Sequence, residues 1–416
     1  MRSRLGSAVG AVVATAAVLA GCGGGDDGGR VTLNFWAYNE PSGSFRAAAD
    51  RCTEQSDGRY RIAFNPLGND PDTQRQSLVR RLAAKDSSID IMSMDVIWTA
   101  EFAEAEWIKP WPEQFASKVR EGTLEGPLQT ATYEDELYAA PANSNTQLLW
   151  YRKDLVDGEP PRTWDKLIDT ASEMEEGGQI EIQGAQYEGT TVLFNSLIQS
   201  AGGEILDGPD KVGLEQEPTQ KAVDVMAKFG RSPAANPSLE NQKEDQARLA
   251  FEQGEAAFQV NYPFIYPSAK DGAPEIFKNL GWAEYPSVEE GGPSKAPIGG
   301  FNWGVGNYTE HPELAFEAAT CLRSDENQRS FALDGGLPPT LEAIYDDPKF
   351  EEQYPFGDLI RRQLDDPGVR PASPLYADVS LAIYKTLSPF SDIDTDAVVG
   401  ALRERVSNAL KSQGLL

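Results

Sequence analysis

"VTLNFWAY" at residues 31–38, followed by "NEPSG" at 39–43 and "SFRAAADRCTEQ" at 44–55, decides the fold class. The first segment is rich in β-branched and aromatic residues, which favours a strand. The second is a cluster of turn residues, and the third has the apolar spacing of a helix. A strand, a loop and a helix in this order are the first half of a βαβ unit.

The same order repeats along the chain. "YRIAFNPL" (60–67) predicts a second strand, "DPDTQRQSLVRRLAAK" (70–85) a helix, and "IDIMSMD" (89–95) a third strand before the helix "TAEFAEAEW" (99–107). Strands that alternate with helices predict parallel pairing in an α/β sheet. At 416 residues and 40% hydrophobic composition, the chain is expected to divide into two domains.

The N-terminus has the features of an export signal. Two arginines precede an uncharged run at 5–21 that is too short for a confident membrane span. The run ends in "LAGC", which resembles the bacterial lipoprotein box, where the peptide is cut before Cys22 and that cysteine is acylated. We therefore expect a signal peptide at 1–21, a lipid-anchored tether at 22–29, and a location on the outer face of the cell membrane. The alternative is an ordinary cleaved signal with an incidental cysteine.

The net charge limits the kinds of binding partner, and the cysteine content predicts a crosslink. The formal net charge of -28 repels nucleic acid and anionic lipid surfaces, so no nucleic-acid partner is expected. Cys52 and Cys321 remain after Cys22, and an exported protein occupies a compartment where thiols oxidise. We expect these two cysteines to form a disulfide. Two buried free thiols are the alternative.

Several kinds of chemistry lack the residues they need. The chain has one histidine, His311, so zinc motifs with paired histidines and a Ser-His-Asp triad elsewhere are excluded. Phosphate-binding glycine motifs and the G-x-S-x-G nucleophile motif are also missing. We expect no metal and no cofactor. A carboxylate-dependent glycoside hydrolase stays open, because 65 acidic residues allow many pairs.

One carboxylate stands at a position where ligands bind. Asp95 follows the third predicted strand, and open α/β sheets bind ligands beyond the carboxyl ends of their strands. The loops "YNEPSG" (38–43), "PANSN" (141–145) and "NYPF" (261–264) are expected at the same edge. The alternative for Asp95 is a helix N-cap.

Amides, a few charges and aromatic rings recur at these positions. Sugars offer hydroxyls to planar donors and acceptors and apolar faces to aromatic rings, so this set suits a carbohydrate. The alternative is that the aromatic residues fill the cores and the asparagines cap turns. The candidates are Asn39, Glu40, Gln74, Asp95, Asn143, Asn145, Tyr262, Phe301, Asn302 and Trp303.

Together these features resemble the carbohydrate-binding proteins of ABC importers. The likeness rests on the lipobox and on "DVIWTAEFAEAEW", "ARLAFEQGEAAFQVNYPF" and "GGFNWGVG". Within that family the chain is most similar to the actinobacterial trehalose-binding lipoproteins, through "SNTQLLWYR", "ARLAFEQG", "NQRSFALDGGLP" and "VRPASPLY".

The resemblance implies a two-lobed periplasmic-binding-protein-like α/β fold with a multi-segment hinge and a sugar cleft between the lobes. Lobe one would comprise residues 30–141 and 298–343, and lobe two residues 142–297 and 344–416. Both cysteines of the expected disulfide then fall in lobe one.

The resemblance also assigns ligand contacts. Asp95 and Asn145 are similar to the family's cleft residues, with Asn143 as a neighbour. Gln74 and Arg370 resemble polar contacts from opposite sides of the cleft, while Gly300 and Phe301 would offer a backbone amide and an apolar face. Asn39 and Glu40 suit the wider family. Tyr262 departs from the pattern, because the trehalose-binding relatives carry tryptophan there.

These implications give an expected function. The protein would capture an α-linked disaccharide, trehalose first and maltose second, and deliver it to the transmembrane subunits of an ABC permease. It would act as a monomer and perform no chemistry. The alternatives are the exported glycoside hydrolase, with two acids facing across the cleft, and a receptor for peptides or iron complexes, with a cleft dominated by charge or metal ligands.

Overall fold

The computed structural model describes residues 30–68 and 71–411. The predicted signal peptide, Cys22 and the tether lie outside these residues. Within them, no helix combines the length and apolar character needed to cross a membrane.

Eleven strands occur in the described residues. In chain order, β1 to β11 are Val31–Tyr38, Tyr60–Leu67, Ile91–Asp95, Thr132–Tyr133, Glu136–Leu137, Ala139–Thr146, Leu148–Arg152, Ile180–Glu181, Phe258–Asn261, Leu280–Ala283 and Ile298–Val305.

Seventeen α-helices connect and cover these strands in the same part of the chain. In order, α1 to α17 are Ser44–Gln55, Pro71–Ala83, Thr99–Glu104, Glu113–Arg120, Glu125–Ala131, Trp164–Glu173, Glu188–Ser200, Gln216–Arg231, Glu244–Glu252, Ile265–Gly272, Pro274–Lys278, Pro312–Leu322, Asp325–Gly335, Pro348–Gln353, Gly357–Asp365, Tyr376–Leu387 and Val398–Leu410. Short 3₁₀ helices lie at Val96–Trp98, Leu239–Asn241, Glu342–Ile344 and Phe390–Asp392.

The first sheet has the strand order β2-β1-β3-β11-β6. Strands β1, β2 and β3 are parallel, as the sequence predicts. Strand β11 instead runs antiparallel to both of its neighbours, β3 and β6, so the parallel pairing predicted for the alternating strands does not extend to this strand. A strand that returns from a distant part of the chain is free to enter in either direction.

Alternating burial along β1 fixes this sheet onto its core. Phe35 faces inward and is fully buried. Its ring meets the edge of Trp303 on β11 at 5.1 Å between centroids, and Phe45 of α1 meets Trp303 at 5.0 Å. Such edge-to-face pairs add stability beyond their buried area. Trp303 is therefore a core residue.

The second sheet has the order β10-β7-β9-β8 and a separate core. Strand β7 is antiparallel to β10 and β9, whereas β8 and β9 are parallel. Helices α7 and α16 pack on this core through Phe194 and Ile383, both fully buried. The chain thus forms two α/β lobes, each built on its own sheet.

"PANSN" is not the loop that the sequence predicts. Residues 141–145 lie inside β6, and β7 begins two residues after β6 ends. Pro141 is tolerated because β6 is the edge strand of its sheet and because the pairing with β11 is irregular next to Pro141. Thr163 caps α6 by accepting a hydrogen bond from the Lys166 amide at 3.4 Å.

The structure contains the predicted disulfide between Cys52 on α1 and Cys321 on α12. Their Cα atoms are 5.9 Å apart, and the cysteines are separated by 269 positions in the sequence. Closing so long a loop restricts the unfolded chain strongly.

Removing this crosslink is expected to destabilise the protein. Replacing Cys52 and Cys321 by alanine together should lower the free energy of unfolding by about 2 to 5 kcal/mol, because the unfolded chain regains loop entropy. Calorimetry of the variant against the wild type measures the effect, and reduced wild-type protein should behave like the variant. Alkylation of two free thiols in native, unreduced protein would contradict the disulfide.

Candidate functional site

Three neighbouring strands of the first sheet bring candidate residues to one level. Because β11 lies between β3 and β6, Phe301 pairs with Asp95 on one side and with Asn143 on the other. Gly299 pairs with Asn145, two residues further along β6. Residues that are far apart in sequence therefore form a continuous row.

Gly300 makes this row possible. Its φ of 127° lies in a region that side chains rarely adopt, and an added Cβ would lie 2.3 Å from the Asn143 carbonyl oxygen. Only glycine fits where β11 approaches β6 this closely.

Phe301 supplies the apolar surface of the row. Its ring stacks on Tyr38 at 5.5 Å between centroids, with 24° between the planes. The edge of Phe45 supports it from the core at 6.1 Å. Phe301 stays half-buried, so part of the ring is accessible at the site.

Asp95 is both a cap and a potential ligand contact. Its Oδ1 accepts a hydrogen bond from the Ile97 amide at 3.2 Å, which caps the 3₁₀ helix at Val96–Trp98. Its Oδ2 has no hydrogen-bond partner among the described residues. The capping alternative is therefore correct for one oxygen, and it leaves the other oxygen available.

The surroundings of Asp95 oppose its ionisation. Burial raises the pKa of its carboxyl above the ordinary 3.8, and nearby Glu188 raises it further. Arg370 and the Ile97 amide lower the pKa without cancelling the effect of burial. An ionised Asp95 is thus costly in the empty protein, and ligand donors can offset that cost.

Arg370 brings a guanidinium to the same place. Its side chain is only 8% exposed, its Nη1 donates to Glu188 at 2.8 Å, and its Nη2 donates to the Ile298 carbonyl at 3.1 Å. The Nε–H is buried without a partner. Burial alone lowers the pKa of Arg370, but Tyr376, Glu188 and Asp95 raise it above its ordinary value, so the group is cationic.

Glu188 anchors this arginine from the first turn of α7. Its carboxylate accepts hydrogen bonds from Arg370, from the Tyr376 hydroxyl and from the Ser380 hydroxyl. The last two residues lie on α16. One carboxylate therefore joins α7, α16 and the segment that carries Arg370.

Tyr262 lies within the same electrostatic environment. Burial raises the pKa of its phenol, Glu244 and Asp95 raise it further, and Arg370 acts in the opposite direction. The phenol is therefore neutral at physiological pH and offers one donor and one acceptor. Tyr262 follows β9 directly, where the sequence predicts a loop at the end of a strand.

Two of the predicted ligand residues carry a buried acceptor without a partner. Asn143 is 3% exposed and its Oδ1 has no partner, while Gln74 is 2% exposed and its Oε1 has none. The Gln74 amide nitrogen donates to the Gly68 carbonyl at 2.8 Å. Asn145 is half-buried, and its Oδ1 accepts from the Thr146 amide at 3.1 Å.

Two predicted ligand residues make hydrogen bonds within the fold. The Glu40 carboxylate accepts four hydrogen bonds from Ser42, Ser44 and Phe45, which occupies its acceptor sites and orders the start of α1. The Asn302 amide donates to Thr130 in the interior. Glu40 and Asn302 therefore have structural hydrogen bonds, while the Asn302 Oδ1 is buried without a partner. Ligand contact by either residue stays a prediction. Asn39 is exposed, and its contact with a ligand stays a prediction.

Sequence reasoning missed Glu188 and Tyr376. An acidic residue in the first turn of a helix is usually explained by the helix dipole, so "QYEGT" gives no separate signal for Glu188. Tyr376 is one of many aromatic residues at helix starts. Only the fold shows that both contact the segment that carries Arg370.

Two cavities put the site in context. A small cavity of about 20 Å³ lies beside the row, with Val96 and Ile97 on one wall and Val369 and Arg370 on another. A larger one of about 760 Å³ lies on the second lobe and has no predicted site residue in its lining. Among residues 30–68 and 71–411, no group of three or more His, Cys, Asp or Glu side chains could hold a metal ion.

Comparison with known proteins gives the family. A family model described as bacterial extracellular solute-binding protein matches residues 65–329. This chain belongs to that family. The family implies that this solute-binding protein is exported.

Individual relatives are similar in sequence to this protein over most of its length. A probable ABC transporter-binding protein from Deinococcus radiodurans is 25% identical over 361 residues, covering 82% of this solute-binding protein and 84% of the relative. The maltotriose-binding protein of Pyrococcus abyssi is 22% identical over 347 residues, covering 81% and 73% respectively.

A solved structure agrees in fold. The maltose-bound MalE3 protein of T. maritima superimposes with a TM-score of 0.76 and 25% identity, covering 92% of this chain and 98% of that one. The solute-binding protein therefore has the two-lobed periplasmic-binding-protein fold. Because its relatives and structural neighbours are binding proteins, it is a binding protein and not an enzyme, and the glycoside hydrolase alternative is not supported.

The raised pKa of Asp95 predicts a gain in stability on neutralisation. The folded protein keeps a proton on Asp95 to higher pH than the unfolded chain, so this group's contribution to the free energy of unfolding falls as pH rises above 3.8. Asparagine cannot ionise and still accepts from Ile97. Asp95→Asn should match the wild type at low pH and melt at higher temperature at neutral pH, without ligand.

Asp86 provides a control of opposite sign. Hydrogen bonds from Ser88 lower the pKa of its carboxyl, so Asp86→Asn should lower the melting temperature at neutral pH. Melting curves of the three proteins between about pH 3 and pH 7 test both effects. If Asp95→Asn melts below the wild type at neutral pH, the charge on Asp95 stabilises the empty fold and the argument from burial is wrong.

Proposed function

We propose that this protein captures an α-linked disaccharide, trehalose first and maltose second, and delivers it to the permease of an ABC importer. The observation that carries the proposal is the row of Asp95, Phe301 and Asn143, with Arg370 beside it. It combines free acceptors, a buried donor and an accessible aromatic ring. That combination suits the hydroxyls and apolar faces of a sugar.

The charges at the site support a neutral ligand. Arg370 already has Glu188 as its ion-pair partner, and the Asp95 carboxyl also acts on its charge. An anionic sugar would bring a further negative group among these carboxylates, and like charges repel strongly where burial excludes water. A neutral sugar instead donates hydroxyl hydrogens to Asp95 and Asn143 and accepts one from Arg370.

The relatives support an α-linked glucoside. One is a maltotriose-binding protein, and one structural neighbour is bound to maltose. Trehalose is placed first because of the resemblance to the trehalose-binding lipoproteins. Tyr262 offers a smaller ring than the tryptophan of those relatives and adds a hydroxyl, which gives this chain a polar contact where they have an apolar one.

The remaining parts of the proposal concern the whole chain. Lobe one comprises residues 30–141 and 298–343 and lobe two residues 142–297 and 344–416; the first crossing then lies within β6. Cys22 carries the lipid anchor, and the protein acts as a monomer at the outer face of the membrane. Asn39, Gln74, Asn145, Tyr262 and Gly300 complete the proposed contacts with Asp95, Asn143, Phe301 and Arg370.

A panel of sugars tests the proposal. Isothermal titration of trehalose, maltose, sucrose, cellobiose, lactose and trehalose 6-phosphate should rank trehalose first and maltose second. The β-linked and phosphorylated sugars should bind at least about tenfold more weakly, a difference of about 1.4 kcal/mol. No saturable binding of any neutral disaccharide would contradict the proposal.

Asp95→Ala separates binding from folding. The change removes charge-assisted hydrogen bonds worth about 1.5 to 3 kcal/mol. The affinity for the sugar that binds most tightly should therefore fall by about tenfold to several hundredfold. Asp396→Ala, at an exposed position, serves as the control and should bind like the wild type. Wild-type affinity in Asp95→Ala would show that the residue only caps the 3₁₀ helix.

A further inference from the structure

The Glu188 carboxylate accepts hydrogen bonds from three side chains. Its Oε1 accepts from Arg370 Nη1 at 2.8 Å and from the Tyr376 hydroxyl, and its Oε2 accepts from the Ser380 hydroxyl. Ser380 is itself 2% exposed and fixed by Thr191 of α7 at 2.9 Å. Glu188 is therefore held in place independently of any ligand.

Two of the three guanidinium nitrogens of Arg370 donate hydrogen bonds within the protein, and the third has no partner. Glu188 fixes Nη1, the Ile298 carbonyl at the start of β11 fixes Nη2, and Nε has no partner. A guanidinium is planar, so two fixed nitrogens determine where the third N–H points. The direction of the Nε–H bond is therefore set by Glu188 and by the Ile298 carbonyl of β11.

A second carboxylate competes for the same arginine. Glu188 and Asp95 are the carboxylates that act on Arg370 most strongly. If Glu188 were neutral, the guanidinium would be drawn toward Asp95. Such an ion pair would occupy the free Asp95 oxygen and turn the unpartnered N–H of Arg370 away from a ligand.

We propose that Glu188 is a positioning residue, which aims the free donor of Arg370 at a ligand hydroxyl and keeps Arg370 from pairing with Asp95. This inference rests on the proposed function, because it assigns Arg370 a contact with the captured sugar. Glu188 itself touches no ligand. The specificity of the site for neutral sugars then depends on Glu188, which acts through Arg370 and not by contact with the sugar.

A double-mutant cycle tests the inference. Sugar affinity is measured by titration for the wild type, Glu188→Gln, Arg370→Gln and the double variant. Glu188→Gln should weaken binding about tenfold in the wild-type background but less than about twofold when Arg370 is already glutamine. A residue that only stabilised the fold would weaken binding by the same factor in both backgrounds, so that result would overturn the inference.

Two further variants control for folding. Glu217→Gln removes a carboxylate from the first turn of α8, where the side chain is 81% exposed in an ion pair with Lys221, and should bind like the wild type. Tyr376→Phe removes one donor to Glu188 without changing the charge and should weaken binding about two- to threefold. If Glu188→Gln does not fold, wild-type affinity in Tyr376→Phe overturns the inference.

The cycle also separates this inference from the proposed function. Tight binding of sugar by the wild type together with wild-type affinity in Arg370→Gln or in Glu188→Gln would overturn the positioning role and leave the proposed function standing. No sugar binding by the wild type would overturn both.

Discussion

The antiparallel insertion of β11 between β3 and β6 is the constraint on which the site depends. Strands β3 and β6 are separated by about forty residues of mainly helical chain, and they meet across a strand that begins at Ile298. Backbone hydrogen bonds on both edges of β11 fix its register, so Asp95, Phe301 and Asn143 share one level. The absence of a side chain at Gly300 permits this close approach. Any residue with a Cβ there would move the row apart.

The buried polar and charged groups of the site lower the stability of the empty protein. Burial raises the pKa of the Asp95 carboxyl, and Arg370 is buried with one N–H unpartnered. Buried polar groups without partners cost free energy, and functional sites are where proteins retain such costs. Glu188 offsets part of the cost of Arg370 through its hydrogen bonds. The empty site is therefore less stable than an apolar surface of the same shape, and a ligand that satisfies these groups recovers the difference.

Local sequence signals predicted the elements that form from neighbouring residues. The segments chosen for β1, α1 and β2 match the structure at both ends, and Asp95 lies at the end of β3 as expected. Long-range pairing could not be predicted in this way. Residues 141–145 contain proline and asparagine, which favour turns, yet pairing with β11 makes this segment a strand.

The same limit applies to the polar residues that were candidates for ligand contact. Glu40 and Asn302 have the chemistry of ligand contacts, but their hydrogen bonds go to their own loop and to Thr130. Glu188 has no distinguishing sequence signal, because its partners Arg370 and Tyr376 follow it by more than 180 residues. Residue type thus indicated the kind of ligand, while the assignment of individual residues required the fold.

The Cys52 to Cys321 bridge gives the protein a covalent property that its folding stability does not describe. The bridge encloses most of the chain, including β6 to β11 and the whole second sheet. A protease that cuts one peptide bond anywhere inside this loop leaves two fragments joined through sulfur. A nicked molecule therefore keeps its C-terminal fragment covalently attached to its N-terminal fragment until the bridge is reduced.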